Sequence, residues 1–380
     1  MKLGLLLPRS TFQPLLQHDL LAGCKAYMAH RELPVELVTA NIGYGTDVPA
    51  VFAAAEKMLM EDNVDVLAIY ADQDSLQQIA DFARAVNKLV ILLHPGARYF
   101  HAWEPHTHVI SHTLHHSLCC RFTAELAATK AAAAAYATSF FDCGFPASHS
   151  LSQHYADNGG QIEHNFISKF NSSDFSISPL VDFLRQQPAV TSVLSMYNGD
   201  LAYYFLRQLQ EAAIPNLEVF AAPMVFEPSL ATAHGALPPL SYSLQGYLPW
   251  AAAIELPANK IFTDTCAAAT NRVVNSAMMH GWTTAQLVEY ILQGASQHQY
   301  AATAIMKHLA TLDIATPRGT LHFDAATHHT LAPVWQATAG GDMVVKINGN
   351  IPDITPAWST MKAAVEGVVT THWFNTYPCA

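Results

Sequence analysis

Residues 64–98, VDVLAIYADQDSLQQIADFARAVNKLVILLHPGAR, constrain the fold more than any other stretch, because two short apolar runs flank a segment of helical periodicity. Residues 64–70 and 89–93 lack polar alternation, as strands buried on both faces of a parallel sheet do. Between them Leu76, Ile79, Ala80, Ala83 and Val86 recur at helical spacing. The stretch is one βαβ unit. Its polar turn at 71–75 and its HPGAR turn at 94–98 fall at the carboxyl ends of the two strands, where open parallel sheets bind ligands.

The same alternation runs along much of the chain. Strands are expected at 2–7 and 35–40, a helix at 15–30, and a further strand from 109. The turn NIGYGTDV superficially matches a dinucleotide fingerprint, but the place of the third glycine holds Val48, so a plain β-to-α turn is the better account. A second set follows, with strands expected within 131–141 and at 162–170, 190–196 and 217–221, and helices at 122–129, 148–158, 177–186 and 200–213. Later come helices near 260–280 and 284–295, the segment TPRGTLHF, two strands around Gly340-Gly341, and a helical tail at 358–373. The pattern predicts an α/β fold of two doubly wound, Rossmann-like lobes.

Bulk properties narrow the function. A chain of 380 residues is long enough for two cores. A net charge of -11 with only 19 Lys and Arg opposes a nucleic-acid or anionic-membrane surface. No run of about 18 apolar residues is present to span a membrane. The first strand begins at the second residue and leaves no room for an export signal, so the expectation is either a cytoplasmic protein or a numbering that starts where a signal was removed. The six cysteines, Cys24, Cys119, Cys120, Cys143, Cys266 and Cys379, show neither CxxC nor finger spacing. His115, His116, Cys119 and Cys120 place two metal-ligand types on each helix face, short of the three or four that zinc requires. No metal and no cofactor are expected. A GxSxG elbow is absent, and Asp72, Asp74 and Ser75 serve as well for ligand contact as for acid–base work, so no catalytic residue is expected.

Several landmarks, in order, carry a resemblance: KLGLLLP, KMLMEDNVDVLAIYADQDS, HPGA, FDCGF, and TPRGTLHFDAATHHTLAPVW. Over about residues 2–350 the chain resembles the type I periplasmic binding proteins, in the leucine/isoleucine/valine-binding branch that also contains amide and urea sensors. The resemblance implies two lobes joined by three hinge crossovers, with a small ligand captured as the lobes close. The first lobe would comprise 1–112 and 251–322, the second 117–242 and 333–380, with crossovers at 113–116, 243–250 and 323–332. It implies a substrate-binding receptor that delivers a solute to the permease of an ABC transporter, or, as the alternative, a cytosolic sensor of the amide-sensor type.

Ligand contacts implied for the first lobe are Ser10, Thr11, Tyr70, Asp74, Ser75, His94, Gly96, Ala97, Arg98 and Trp103; for the second, Phe145, Tyr197, Asn198, Met224, Phe226 and Tyr247. Ser75 keeps the family's first hydroxyl position, while the second turn replaces hydroxyls with His94 and Arg98, a residue suited to clamp an anion. The acid that pairs with an amino-acid ammonium is replaced after Ala222-Pro223 by Met224, and Glu227 comes three residues late. An ammonium desolvated without its carboxylate is disfavoured by several kcal/mol, on the order of what breaking a buried ion pair costs. The expected ligand is an organic acid or an aromatic or apolar solute, and not a plain zwitterionic amino acid.

Overall fold

A computed structural model describes residues 1–11, 13–71, 76–96, 106–139, 144–235, 237, 239–340 and 344–364. The first lobe begins with β1 (Lys2–Leu7), α1 (Leu16–His30), β2 (Glu36–Asn41), α2 (Val48–Met60), β3 (Val66–Tyr70), α3 (Leu76–Ala85), β4 (Leu89–His94) and β5 (Val109–Thr113). These strands are parallel and lie in the order β2-β1-β3-β4-β5. Every residue of β3, β4 and β5 is buried, which is the physical reason β3 and β4 up to Leu93 are continuously apolar instead of alternating, while β5 buries Ser111, His112 and Thr113 as well. Strand order reverses between β1 and β3, which puts the switch point of this sheet between those two strands, the place where open parallel sheets bind ligands.

The second lobe starts with α4 (His116–Lys130), β6 (Ala133–Ser139), α5 (Gly144–Asp157), β7 (Gln161–Ser168), α6 (Ser178–Gln186), β8 (Ser192–Ser195), α7 (Gly199–Ala212), β9 (Glu218–Ala221), α8 (Ser229–His234) and β10 (Ser243–Leu248). The chain then returns to the first lobe as α9 (Pro257–Thr270), α10 (Ser276–His298) and α11 (Ala302–Leu309). Of these α9 and α10 pack on α1, and α11 packs on α10. A small antiparallel sheet follows, of β11 (Ile314–Thr316), β12 (Gly319–Phe323) and β13 (Thr330–Leu331). Finally β14 (Val334–Ala339), β15 (Val345–Ile351) and α12 (Thr355–Ala364) complete the second lobe, whose sheet runs β15-β14-β10-β9-β8-β6-β7.

Two expectations shift. The segment 243–250, expected as a crossover, is mostly strand: β10 pairs parallel with β9 and antiparallel with β14, and the chain leaves the sheet only after Leu248. The helix expected to end at His280 is instead two helices that part at residues 271–275, and α10 runs straight through Gly281. The side chain of Asn275 starts α10 by accepting the N–H of Met278 at 2.9 Å. Gly281 is a point of contact and does not break the helix. A Cβ there would lie 2.0 Å from the Leu20 carbonyl oxygen, and one at Gly23 would lie 1.9 Å from that of Met278, so α1 and α10 touch backbone to backbone.

Cys24, Cys119 and Cys266 are buried thiols without a disulfide. Burial pushes each up to about 12. Among the described residues no helix is long and apolar enough to cross a membrane.

Candidate functional site

The carboxyl ends of the parallel strands of the two lobes meet over a cleft. Its described floor is formed by Gln13 and Leu16 beyond β1, Tyr70 at the end of β3, Pro95 after β4, Leu114 and His116 after β5, Met224 after β9, and Ser276, Ala277 and His280 on α10. The lobes touch directly there. Gln13 reaches the sulfur of Met224 at 3.8 Å, and the Glu227 carboxylate accepts hydrogen bonds from the hydroxyl and the N–H of Ser276.

The HPG turn is built into the hinge. Pro95 and Gly96 carbonyls accept the N–H groups of His116 and Ser117, both at 2.9 Å, and so satisfy the start of α4. Gly96 has φ +73°, and a Cβ on it would lie 2.6 Å from the amide nitrogen of His115; only glycine lets the turn close this tightly. The Gly96 N–H, expected to face a ligand, donates instead to Nδ1 of His94 at 3.2 Å.

Beneath the floor lies a cluster of buried histidines. His112 bonds Thr283 at 2.7 Å and Thr330 at 2.9 Å, His115 donates to the Thr330 carbonyl at 2.7 Å, and His280 donates to the His112 carbonyl at 3.0 Å. His329 bonds Thr327 and packs its ring edge against His94. Burial disfavours the imidazolium at every one. His94 is pushed down to about 4, His115, His116 and His280 to about 3, and His112 and His329 well below the ordinary 6.5. The cluster is therefore neutral near pH 7.

Arg318, from the TPRG turn, sits among them and is fully buried. Its Nη1 donates to the Thr113 carbonyl at 2.9 Å, while Nε and Nη2 have no hydrogen-bond partner among the described residues. Burial lowers its guanidinium to about 10, which still leaves it charged at neutral pH. No described carboxylate neutralises it, and burial keeps the thiol of the nearby Cys119 protonated and uncharged at neutral pH. The neighbouring imidazoles feel this positive charge, His116 and His280 of the floor included.

Two further spaces open from the floor. One, about 100 Å³, is flanked by Asp19, Asp200 and Glu227. Asp19 pairs with Arg272 at 2.6 Å and accepts from Asn275 at 2.8 Å, yet burial raises its carboxyl above the usual range. Burial raises Glu227 likewise, against the Ser276 hydroxyl. The other space, about 460 Å³, is largely apolar and reaches toward the crossover after β10, with Phe226, Leu248 and Trp250 in its walls.

Of the residues singled out from sequence, Tyr70, Met224 and Phe226 line these spaces and His94 and Gly96 stand directly behind the floor. Ser10 is buried at the entrance to α1, where it accepts the N–H of Gln13, and Thr11 is exposed beside it. Asn198, before α7, is buried with its Oδ1 lacking a hydrogen-bond partner among the described residues. Tyr197 packs into the second lobe's core, its ring stacked on Phe205 at 4.6 Å. Tyr247 is half-buried against Phe122 of α4 and lines none of these spaces. Asp74, Ser75, Ala97, Arg98 and Trp103 lie outside the described residues, as does the Phe145 side chain. Sequence reasoning missed Ser276, His280 and Arg318. The first two were hidden by the misplaced start of α10, and an arginine in a turn carries no sign that it will be buried. Among the described residues no group of three or more His, Cys, Asp or Glu is arranged to hold a metal.

The model of the family described as periplasmic binding protein matches residues 1–342. No curated protein matches the chain by sequence. An ABC transporter solute-binding protein from R. palustris, solved in complex with benzoate, is 15% identical with a TM-score of 0.73, covering 93% of this chain and 97% of its own. Another from R. palustris, in complex with 4-hydroxybenzoate, is 14% identical with a TM-score of 0.75, at 94% and 98% coverage. A branched-chain amino acid transporter substrate-binding protein from Streptococcus pneumoniae, in complex with isoleucine, is 11% identical with a TM-score of 0.68, at 93% and 99% coverage.

Proposed function

Since the chain belongs to the periplasmic binding protein family, matched over residues 1–342, we propose that it is a solute receptor for aromatic carboxylic acids, which it captures between its lobes and delivers to an ABC transporter permease outside the cytoplasm. The observation that carries this reading is a neutral floor of apolar and imidazole groups within reach of the buried guanidinium of Arg318, which no described carboxylate compensates. A buried charge without a partner favours an anion nearby far more than water would, because the low dielectric screens it poorly. Met224 offers nothing to an ammonium, and the next acid along the chain, Glu227, is turned to Ser276 and raised by burial. Benzoate and 4-hydroxybenzoate in the complexes of two similar structures are ligands of this chemical kind. Ser75 and Arg98, at the ends of β3 and β4 in sequence, are proposed as the direct polar contacts.

A thermal-shift screen of benzoate, 4-hydroxybenzoate, isoleucine and leucine tests the reading. The aromatic acids should raise the melting temperature in proportion to the logarithm of ligand concentration over Kd. The amino acids should leave it unchanged. Arg98→Ala should weaken benzoate roughly tenfold to a hundredfold, on the order of one charge-assisted pair, with the apo melting temperature unaltered. Stabilisation by isoleucine and not by the acids would refute the assignment.

A further inference from the structure

The apolar space of about 460 Å³ is not needed to hold a single ring. An apolar cavity of about 150 Å³ already accommodates benzene, so this one is roughly three times as large. It is continuous with the cleft, because His116, Met224 and Ser276 line both. Its walls are fixed. Trp250 donates its indole N–H to Asn259 at 2.7 Å and meets Phe262 edge-on, while Asn259 is itself held by three backbone carbonyls. Phe226 rests over Gly246, where a Cβ would lie 3.1 Å from its ring and 2.5 Å from the Ala221 carbonyl oxygen. On these two sides the chamber is shaped by packing. The apolar walls at Phe226, Leu248 and Trp250 disfavour a second carboxylate, which would lose its hydration there without gaining a partner.

We propose that this chamber is the subsite for the apolar body of the ligand, so that the preferred solute is a monocarboxylic acid carrying two aromatic rings or a hydrocarbon of equal size. The carboxylate end remains over the cleft floor, and the second ring lies between Phe226 and Trp250. Apolar surface removed from water there adds affinity that a single-ring acid cannot gain. This inference rests on the receptor reading above.

Calorimetric titration of the full chain with benzoate, 4-phenylbenzoate, 2-naphthoate and 2,6-naphthalenedicarboxylate tests it. The two-ring monoacids should bind at least tenfold more tightly than benzoate, and the diacid more weakly than 2-naphthoate. Val273→Trp and Ala252→Trp add bulk at exposed positions on the chamber's rim, so both should fold with unchanged melting temperature. Each should weaken the two-ring acids tenfold and leave benzoate within twofold. If benzoate binds but the two-ring acids bind no more tightly, or if both rim variants leave them unaffected, the subsite is refuted while the receptor reading stands. If no aromatic acid binds in any form, both fall together.

Discussion

Arg318 is the residue on which the electrostatics of the cleft turn. One backbone carbonyl accepts from it, and the rest of its charge is left to the field it casts through the hinge. Keeping a charge buried without a paired carboxylate is costly, and an apolar side chain of similar length removes that cost. Arg318→Met should accordingly change unfolding free energy by no more than about 2 kcal/mol, the loss of one charge-assisted hydrogen bond being offset by relief of desolvation. Binding should respond differently: benzoate should weaken at least tenfold, while neutral benzamide keeps whatever affinity it has. Isothermal titration of both ligands against both proteins checks this, and equal losses for the two would show that the residue acts through structure and not through charge.

At the scale of elements, the contact between α1 and α10 depends on two hydrogens where other residues carry a methyl. Gly281→Ala should push the helices apart and lower stability by about 1–3 kcal/mol, as overpacking does, and Gly23→Ala should do the same. The double variant should fall short of the sum, because separating the helices once relieves both clashes. Urea unfolding of the three variants measures it. This contact also shows how far the sequence could be read. The continuous apolar runs of β3 and β4 announced themselves, since burial on both faces leaves an unbroken apolar run visible in one dimension. Gly281 misled, because a glycine that ends a helix and one that lets a second helix approach are the same letter. Met224 was legible as a missing acid after Ala222-Pro223. His280 and Ser276 were not, because their role depends on α10 returning from the far end of the chain to the first lobe.

On the scale of the whole molecule, the buried imidazoles tie folding to pH. His94, His115, His116 and His280 protonate in the folded state only near 3 to 4, against 6.5 when exposed. Their folded values are depressed, so the stability they permit is intact above about pH 6.5 and is lost as pH falls from there toward 3 to 4. At pH 4.5 each contributes up to about 3 kcal/mol in favour of the unfolded chain. Four such groups amount to as much as a typical domain's whole stability of about 5–15 kcal/mol. Because the cluster lies where β5, α4, α10 and β13 meet, the first opening on acidification should be at the hinge. Chemical denaturation at pH 7.5 and pH 4.5 should show the difference, and His112→Gln with His280→Gln should reduce it. A stability that is flat across this range would contradict the cluster's neutrality.

Cys24 lies in the seam between α1 and α10, fully buried, with its thiol held protonated to about pH 12. Such a sulfur cannot be alkylated or drawn into a mixed disulfide until the seam parts. The rate at which a thiol reagent marks Cys24 is therefore a clock for the separation of those two helices, and its slowing when a ligand is added would report, from a residue that does not line the cleft, how far occupancy holds the first lobe against opening.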